Sequence, residues 1–364
     1  MMQTPYIVID EQQVKNNILD MAQYAKENKI RLRPHCKTHK MPHFARMQME
    51  SGASGITVAK PSEAAVMAEQ GIQDIFIAYP IVTRDKAEMV KKLNRSIKHL
   101  IVSIDSIQSA ALLDGFCEGE EKRLQVRIEV ETGLNRTGAS ISDVADIADF
   151  ILAHTKHLEL EGIYTFKGAV LGGISTLDIK QAGIEEGTVM LELGKVLKGK
   201  GIDLQTISIG STPTAKTVLT EGDHSEIRPG TYIFYDAMQA KLGVCRLEQC
   251  AAVVVATVVG KYDGHLVIDG GSKTFATDVQ PQQHPLDLEG FGIVIGHPEC
   301  IFSRMNEEHG VIEFTGETNL GVGDELHIIP NHICSTINLH NHVYIKKENG
   351  KYDKMDVAAR GQLY

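Results

Sequence analysis

Residues 31 to 43 read RLRPHCKTHKMPH and set Lys37 and Lys40 among His35, Cys36, His39 and His43. Three chemistries compete for such a segment: a cluster of metal ligands, a solvated basic turn, or the seat of a reactive lysine. The histidines stand four apart, which would align them on one side of a helix. Pro34 and Pro42 interrupt helical geometry around them and weaken the metal reading. A free lysine is almost wholly protonated near neutral pH. One that acts as nucleophile or imine former needs burial or nearby cations to lower its pKa. Lys37 has such neighbours; Lys60 and Lys167 are its rivals by position.

Two further stretches have chemical content. PNHICS places His332 and Cys334 two residues apart. On an extended segment both side chains would point the same way, and imidazole with thiolate suits zinc. Two ligands leave coordination positions to water or substrate, as in an open catalytic site. His340 and His342 repeat the spacing as weaker candidates, and a purely structural pair is the alternative. In SIGSTPT (208 to 214), small residues let backbone N–H groups approach an anion. Ser211, Thr212 and Thr214 add hydroxyl donors there, and a helix after Pro213 would add its positive end.

The elements that must position these groups are legible in outline. Residues 10 to 27 form an amphipathic helix pattern, with Asp10 and Gln13 as a capping-box start. Strand patterns then alternate with helix patterns. The strands cover 31–37, 55–60, 74–81, 99–105, 124–131, 160–168, 204–210 and 226–235. The helices include 62–71, 84–94, 140–153 and 180–199. Eight such repeats favour a closed (β/α)8 barrel over an open doubly wound sheet. Lys37, Lys60, Tyr79, Asp105, Glu131, Tyr164, Gly210 and Tyr235 gather where strands end, the rim on which barrels build active sites. From about 246 the pattern becomes VVVATVV, HLVIDGG, GIVIG, VIEFTG and DELHIIP, short strands split by turns such as Asp263-Gly264. The expected organisation is therefore a barrel over 10–245 and a β-rich domain over 246–364, with residues 1–9 a strand that joins the latter.

RPHCKTHK, TGLNRTG (132 to 138), SIGSTPT, EIRPGTY and IPNHICSTINLHNHVY together resemble one family across nearly the whole chain. It is the D-threonine aldolase and zinc-dependent D-serine dehydratase group, alanine-racemase-like enzymes of fold type III that use pyridoxal 5′-phosphate. The resemblance implies that Lys37 carries the cofactor as an imine and later acts as base. It implies that Arg136 meets the cofactor's 3′ oxygen, that Tyr164 borders its ring, and that Gly210, Ser211, Thr212 and Tyr235 face its phosphate. Arg228 and Glu226 are the alternatives for the pyridine nitrogen. It makes His332 and Cys334 ligands of a divalent metal, zinc ahead of manganese or magnesium. The activity implied is a lyase on 3-hydroxy-D-amino acids. The cysteine form favours D-serine dehydratase, giving a 2-oxo acid and ammonia. The alternatives are retro-aldol cleavage to glycine and an aldehyde, a metal-independent racemase, and a cofactor-binding protein without turnover. YTFKGAV (164 to 170) lacks the histidine that many dehydratase-like relatives carry, which bears on substrate identity. A homodimer is also implied.

Composition bounds the rest. Of 364 residues 43% are hydrophobic, and 37 basic against 47 acidic residues give a formal charge of −10 without a long basic run. That argues against nucleic acid or an anionic membrane as partner and leaves a small-molecule substrate. AAVVVATVV is too short to span a bilayer, and MMQTPYIVID has no secretory pattern. Six dispersed cysteines suit reduced thiols and a cytoplasmic location.

Overall fold

The structure, a computed structural model, describes residues 2–364. The chain divides into two compact units. One comprises Met1–Leu19, Thr38–Lys40 and Thr231–Arg360; the other comprises Asp20–Lys37, Met41–Gly230 and Gly361–Tyr364. Strand β1 (Tyr6–Asp10) and helix α1 (Glu11–Glu27) open the chain. The Asp10 carboxylate caps α1 by accepting the Gln13 N–H at 3.0 Å.

The second of these units is the barrel. Its strands are β2 (Arg31–Leu32), β3 (Ile56–Val58), β4 (Asp74–Pro80), β5 (His99–Ile104), β6 (Leu124–Glu129) and β7 (Leu158–Tyr164). A small hairpin, β8 (Val170–Leu171) with β9 (Ile174–Ser175), precedes β10 (Thr206–Ile209) and β11 (Ser225–Ile227). The eight barrel strands are parallel, in the order β2-β11-β10-β7-β6-β5-β4-β3. A parallel bridge between His35 and Thr57, with the Thr57 N–H donating to the Pro34 carbonyl at 2.7 Å, joins the two ends. Helices α2 (Pro42–Glu50), α3 (Pro61–Glu69), α4 (Arg84–Ser96), α5 (Ile107–Phe116), α6 (Val144–His154) and α7 (Ile179–Gly199) alternate with the strands. Each buries one stripe: α4 turns Ala87, Val90 and Leu93 inward and leaves most of its charges outside. β10 is buried at every residue, because a parallel sheet inside helices has no wet face. At Gly162 on β7, an added Cβ would lie 2.2 Å from the Thr206 carbonyl oxygen, so only glycine allows that strand approach.

Two strands are shorter than their sequence patterns. Residues 31–37 are extended only over Arg31–Leu32, and Cys36–Thr38 forms a 3-10 turn that carries Lys37. The 226–235 pattern stops at Ile227, and Thr231–Ile233 is another 3-10 turn. Proline at 34 and at 229 removes a ladder donor at each break.

Beneath the rim the barrel holds an ionic network rather than a purely apolar plug. Arg127 is fully buried and pairs with Glu161 and Glu226. Glu226, also fully buried, accepts from Arg33 at 2.8 Å and from Ser208 at 2.6 Å, and Arg33 further pairs with Asp74.

The β-rich unit contains β12 (Ala252–Tyr262), β13 (His265–Ile268), β14 (Gly292–Val294), β15 (Cys300–Met305), β16 (Gly310–Phe314), β17 (Glu325–Pro330), β18 (His342–Lys346) and β19 (Tyr352–Asp356). Its sheet runs β15-β16-β13-β12-β1-β18-β19, with β17 paired to β12 and β14. β1 lies antiparallel to β12 and parallel to β18. Short helices α8 (Ala237–Lys241) and α9 (Ile333–Ile337) complete it. β15, β18 and β19 fall outside the strand segments read from the sequence. β19, YDKMD, is an edge strand exposed on both faces and has no hydrophobic alternation to reveal it.

Candidate functional site

A cavity of about 390 Å³ opens at the carboxyl ends of the barrel strands. Lys37 reaches it from the 3-10 turn after β2, with its backbone N–H donating to His35 Nδ1 at 3.3 Å. The Lys37 ammonium lies 4.9 Å from the centre of the Phe166 ring, and the Arg136 guanidinium lies 5.0 Å from the same ring. Arg136 also stands 3.8 Å from Glu129. Tyr164, at the end of β7, lines the cavity and is 1% exposed. Its hydroxyl donates to Ser103 at 2.7 Å, and its ring packs edge-on against Phe76. Burial and Glu129 raise the Tyr164 pKa well above its usual value, so it stays a neutral phenol.

Arg228 faces the cavity one residue beyond β11. It donates to Ser208 Oγ at 2.6 Å and to the Thr165 carbonyl, and its guanidinium sits 5.1 Å from the Tyr164 ring centre. Burial lowers its pKa. Glu226, the sequence alternative for the same role, points into the ionic network and does not line the cavity.

Gly210, Ser211 and Thr212 form a turn after β10. Gly210 has φ +74, so a side chain there would be strained. Its N–H is already donated to the buried Glu186 carboxylate at 2.8 Å, and the Ser211 N–H goes to Thr214 Oγ1 at 3.1 Å. Gly230 donates its N–H to Thr212 Oγ1 at 3.1 Å, and Arg228 donates to the Gly210 carbonyl. Thus this turn and the segment after β11 are tied together. Tyr235 belongs to the other unit, is buried, and has φ +52.

His332 and Cys334 meet in the β-rich unit, by a route other than an extended strand. His332 is the extended N-cap of α9, and Cys334 lies in its first turn. The two side chains interact directly. Burial alone would raise the Cys334 pKa, but His332 lowers it below the ordinary thiol value. Burial alone would lower the His332 pKa, but Cys334 and Asp278 raise it well above the ordinary imidazole value. His332 Nδ1 is 2.7 Å from Asp278, whose carboxylate also accepts from Ser335 at 2.7 Å. Buried Asp236 accepts the Ile333 N–H at 3.0 Å and the Gln239 N–H at 2.9 Å, locking α9 to α8. Cys334 Sγ lies 3.1 Å from the hydroxyl of Thr38, the residue that follows Lys37 in the chain, and 3.3 Å from that of Thr231. Among the described residues no group of three or more His, Cys, Asp or Glu side chains is arranged around one ion. His340 instead turns Nε2 to the Thr274 carbonyl at 3.0 Å.

Phe166 and Asp278 are the site groups that sequence reasoning passed over, whereas Lys60 and Tyr79, read from the sequence as rim residues, line the cavity. Asp278 lies 54 residues from His332 in a loop, with no spacing that could signal it.

This barrel, with a rim lysine and a separate sheet unit holding a His-x-Cys pair, defines a class. Residues 9–237 match the family model for the alanine racemase N-terminal domain, and residues 251–346 match that for a serine dehydratase domain. The chain belongs to this alanine-racemase-like family, in its D-serine dehydratase and D-threonine aldolase group. It is 31% identical to a D-serine dehydratase of Dictyostelium discoideum over 360 residues, covering 92% of this chain and 90% of that one. It is 26% identical to a D-threonine aldolase of Arthrobacter over 363 residues, covering 98% and 93%. A solved structure of D-threo-3-hydroxyaspartate dehydratase, a cysteine-to-alanine mutant in the metal-free form, superimposes with a TM-score of 0.89 at 26% identity, covering 98% and 97%.

Proposed function

We propose that this protein is a pyridoxal-phosphate- and metal-dependent lyase acting on 3-hydroxy-D-amino acids, of the D-serine dehydratase type. The observation that carries it is that one chain of this family holds both a cavity-facing Lys37 and a His332–Cys334 donor pair.

The residues present fit the cofactor. The cavity presents Lys37, Arg136 and Arg228 with the rings of Tyr164 and Phe166, and among the described residues no carboxylate lines it. An aromatic, anionic aldehyde is complementary to that lining. Lys37 would anchor the cofactor, Tyr164 would border the ring, and Arg136 would take the 3′ oxygen. Ser211, Thr212 and Tyr235 would serve the phosphate, with Gly210 shaping the turn. Arg228 is favoured over Glu226 for the pyridine nitrogen, because only Arg228 lines the cavity. Bound pyridoxal phosphate supplies an electron sink for negative charge at the substrate's α-carbon. Lys37 would be the group that accepts the α-proton. Fully buried Tyr164 keeps its proton.

The donor set at His332 and Cys334 fits a divalent ion, zinc by its imidazole and thiolate character. Asp278 holds His332 Nδ1, so Nε2 would be the ligand atom. The matched dehydratase supports this: its metal-free form is a cysteine-to-alanine mutant, and another of its variants replaces a histidine two positions before that cysteine. A metal held there would supply Lewis acidity. Asp278→Ala is expected to weaken zinc binding on the order of 10- to 100-fold, read by competition with a chromogenic chelator. Unchanged affinity would remove Asp278 from this role.

A homodimer and a reducing, cytoplasmic setting belong to the same proposal. They are supported by the family and by six cysteines that are all free. No helix among the described residues is long and apolar enough to cross a membrane.

The test is product identity from D-serine, D-threonine and 3-hydroxy-D-aspartate with the cofactor-loaded protein, with and without chelator. Ammonia and a 2-oxo acid in equal amounts, lost with chelator, are expected. Glycine and an aldehyde would establish the aldolase instead. Chelator-resistant racemisation, or no turnover of any substrate, would overturn the lyase assignment.

A further inference from the structure

One cation in the cavity has no task in this account. Lys60 follows β3 and is the N-cap residue of α3, half-buried, with its side chain in the cavity lining. Its Nζ lies 3.2 Å from the centre of the Tyr79 ring, and the Lys86 ammonium stands 5.7 Å from the same ring. The contact with Lys60 lowers the Tyr79 phenol pKa, as a cation at hydrogen-bond range does. Among the described residues no ion pair joins Lys60 to a carboxylate, whereas Arg136 has Glu129 and Arg228 is held by Ser208 and Thr165.

Position separates Lys60 from the cofactor's own anion. Lys60 and Tyr79 sit at the ends of β3 and β4, while the Gly210–Thr212 turn follows β10. Around the barrel, β2 and β11 lie between β3 and β10, and Lys37 follows β2. The amine that would hold the cofactor therefore stands between the turn proposed for phosphate and the Lys60–Tyr79 pair. An ammonium with a π contact and no anion, in a cavity that no carboxylate lines, is complementary to an anionic group arriving with the ligand.

We propose that Lys60, steadied by Tyr79, binds a carboxylate of the substrate. This rests on the lyase assignment above for the identity of that substrate. The carboxylate is either the α-carboxylate common to all 3-hydroxy-D-amino acids or the side-chain carboxylate of a 3-hydroxy-D-aspartate, and the arms of one experiment separate the two. Steady-state kinetics would be measured for the cofactor-loaded protein, Lys60→Gln and Lys60→Arg, with D-serine and with 3-hydroxy-D-aspartate. Calorimetric titration with succinate would run beside them. Lys60→Gln is expected to raise KM on the order of 10- to 100-fold, the worth of a hydrogen bond between charged groups. kcat should change less, and Lys60→Arg should recover most of the loss. A rise confined to 3-hydroxy-D-aspartate assigns the side-chain carboxylate; an equal rise for both substrates assigns the α-carboxylate. KM within about twofold of the parent for both substrates would overturn the proposal. Should Lys60→Gln fail to retain the cofactor colour, Tyr79→Leu, which removes the ring under the ammonium, carries the same comparison with a smaller rise, and an unchanged KM there overturns it. Should the parent protein turn over neither substrate, the lyase assignment falls by itself and succinate decides. Binding that weakens in Lys60→Gln upholds Lys60 as a carboxylate site, and equal or absent binding in both proteins overturns it.

Discussion

Lys37→Ala is expected to abolish lyase activity, by at least about 10⁴-fold, and to remove the yellow absorption of the cofactor-loaded protein. The two losses have separate causes. A lysine that anchors the cofactor covalently holds it where noncovalent contacts alone do not, and the same amine then serves as the base, a role worth about 10²–10⁴-fold by itself. The surroundings favour such a lysine. Its ammonium is 4.9 Å from the centre of the Phe166 ring, and the Arg136 guanidinium lies 5.0 Å from the same ring. Lys37→Arg keeps the charge but supplies no amine that forms an imine, and it should be as inactive as alanine. Substantial activity in either variant, with the colour retained, would move the anchoring role to another lysine.

The second large effect concerns stability. Glu226→Ala is expected to destabilise the barrel by about 3–5 kcal/mol, because it leaves buried positive charge unmatched. Glu226 and Arg127 are both fully buried, and Arg33 donates to the same carboxylate. Burial alone would raise the Glu226 pKa, but Arg127 and Arg33 hold it well below the ordinary carboxylate range. The sign follows from linkage. A carboxyl with a depressed folded pKa adds stability that is fully present above its unfolded pKa, about 4.3. That stability is lost as the pH falls toward the folded value. Denaturant midpoints should thus fall on acidification below about pH 5 more steeply for the parent protein than for Glu226→Gln. Parallel curves would show that Glu226 is not the titrating group. The network lies directly under the rim: Ser208 donates to Glu226 and accepts from Arg228, so a collapse of the ion pairs should loosen Arg228 in the cavity as well.

The barrel was legible because its signals are local. Near-continuous apolar strands such as those around Ile101 and Ile207 recur between amphipathic helices, and turn residues separate them. Lys37 and Tyr164 were legible from their places at strand ends and Arg136 from the family resemblance of TGLNRTG, and all three line one cavity. The interior was not. Arg33, Arg127, Glu161 and Glu226 lie on different strands, and only the parallel register brings them together. Asp278 was hidden for the same reason, since nothing in its loop marks a partner 54 residues on. His332 and Cys334 were found on an extended-strand argument, yet Cys334 lies in the first turn of a five-residue helix. The spacing survives because an extended N-cap residue and the first turn after it can converge. Lys60 was visible as a rim lysine, but only the cavity lining shows that it lacks an acidic partner there.

Reductive trapping reaches the centre of this account most directly. The protein would be loaded with pyridoxal phosphate, reduced with borohydride, digested and sequenced by mass spectrometry. The prediction is a single pyridoxyl adduct, on Lys37. An adduct on Lys60, Lys40 or Lys167 instead, or none on any lysine of the cavity, would contradict it.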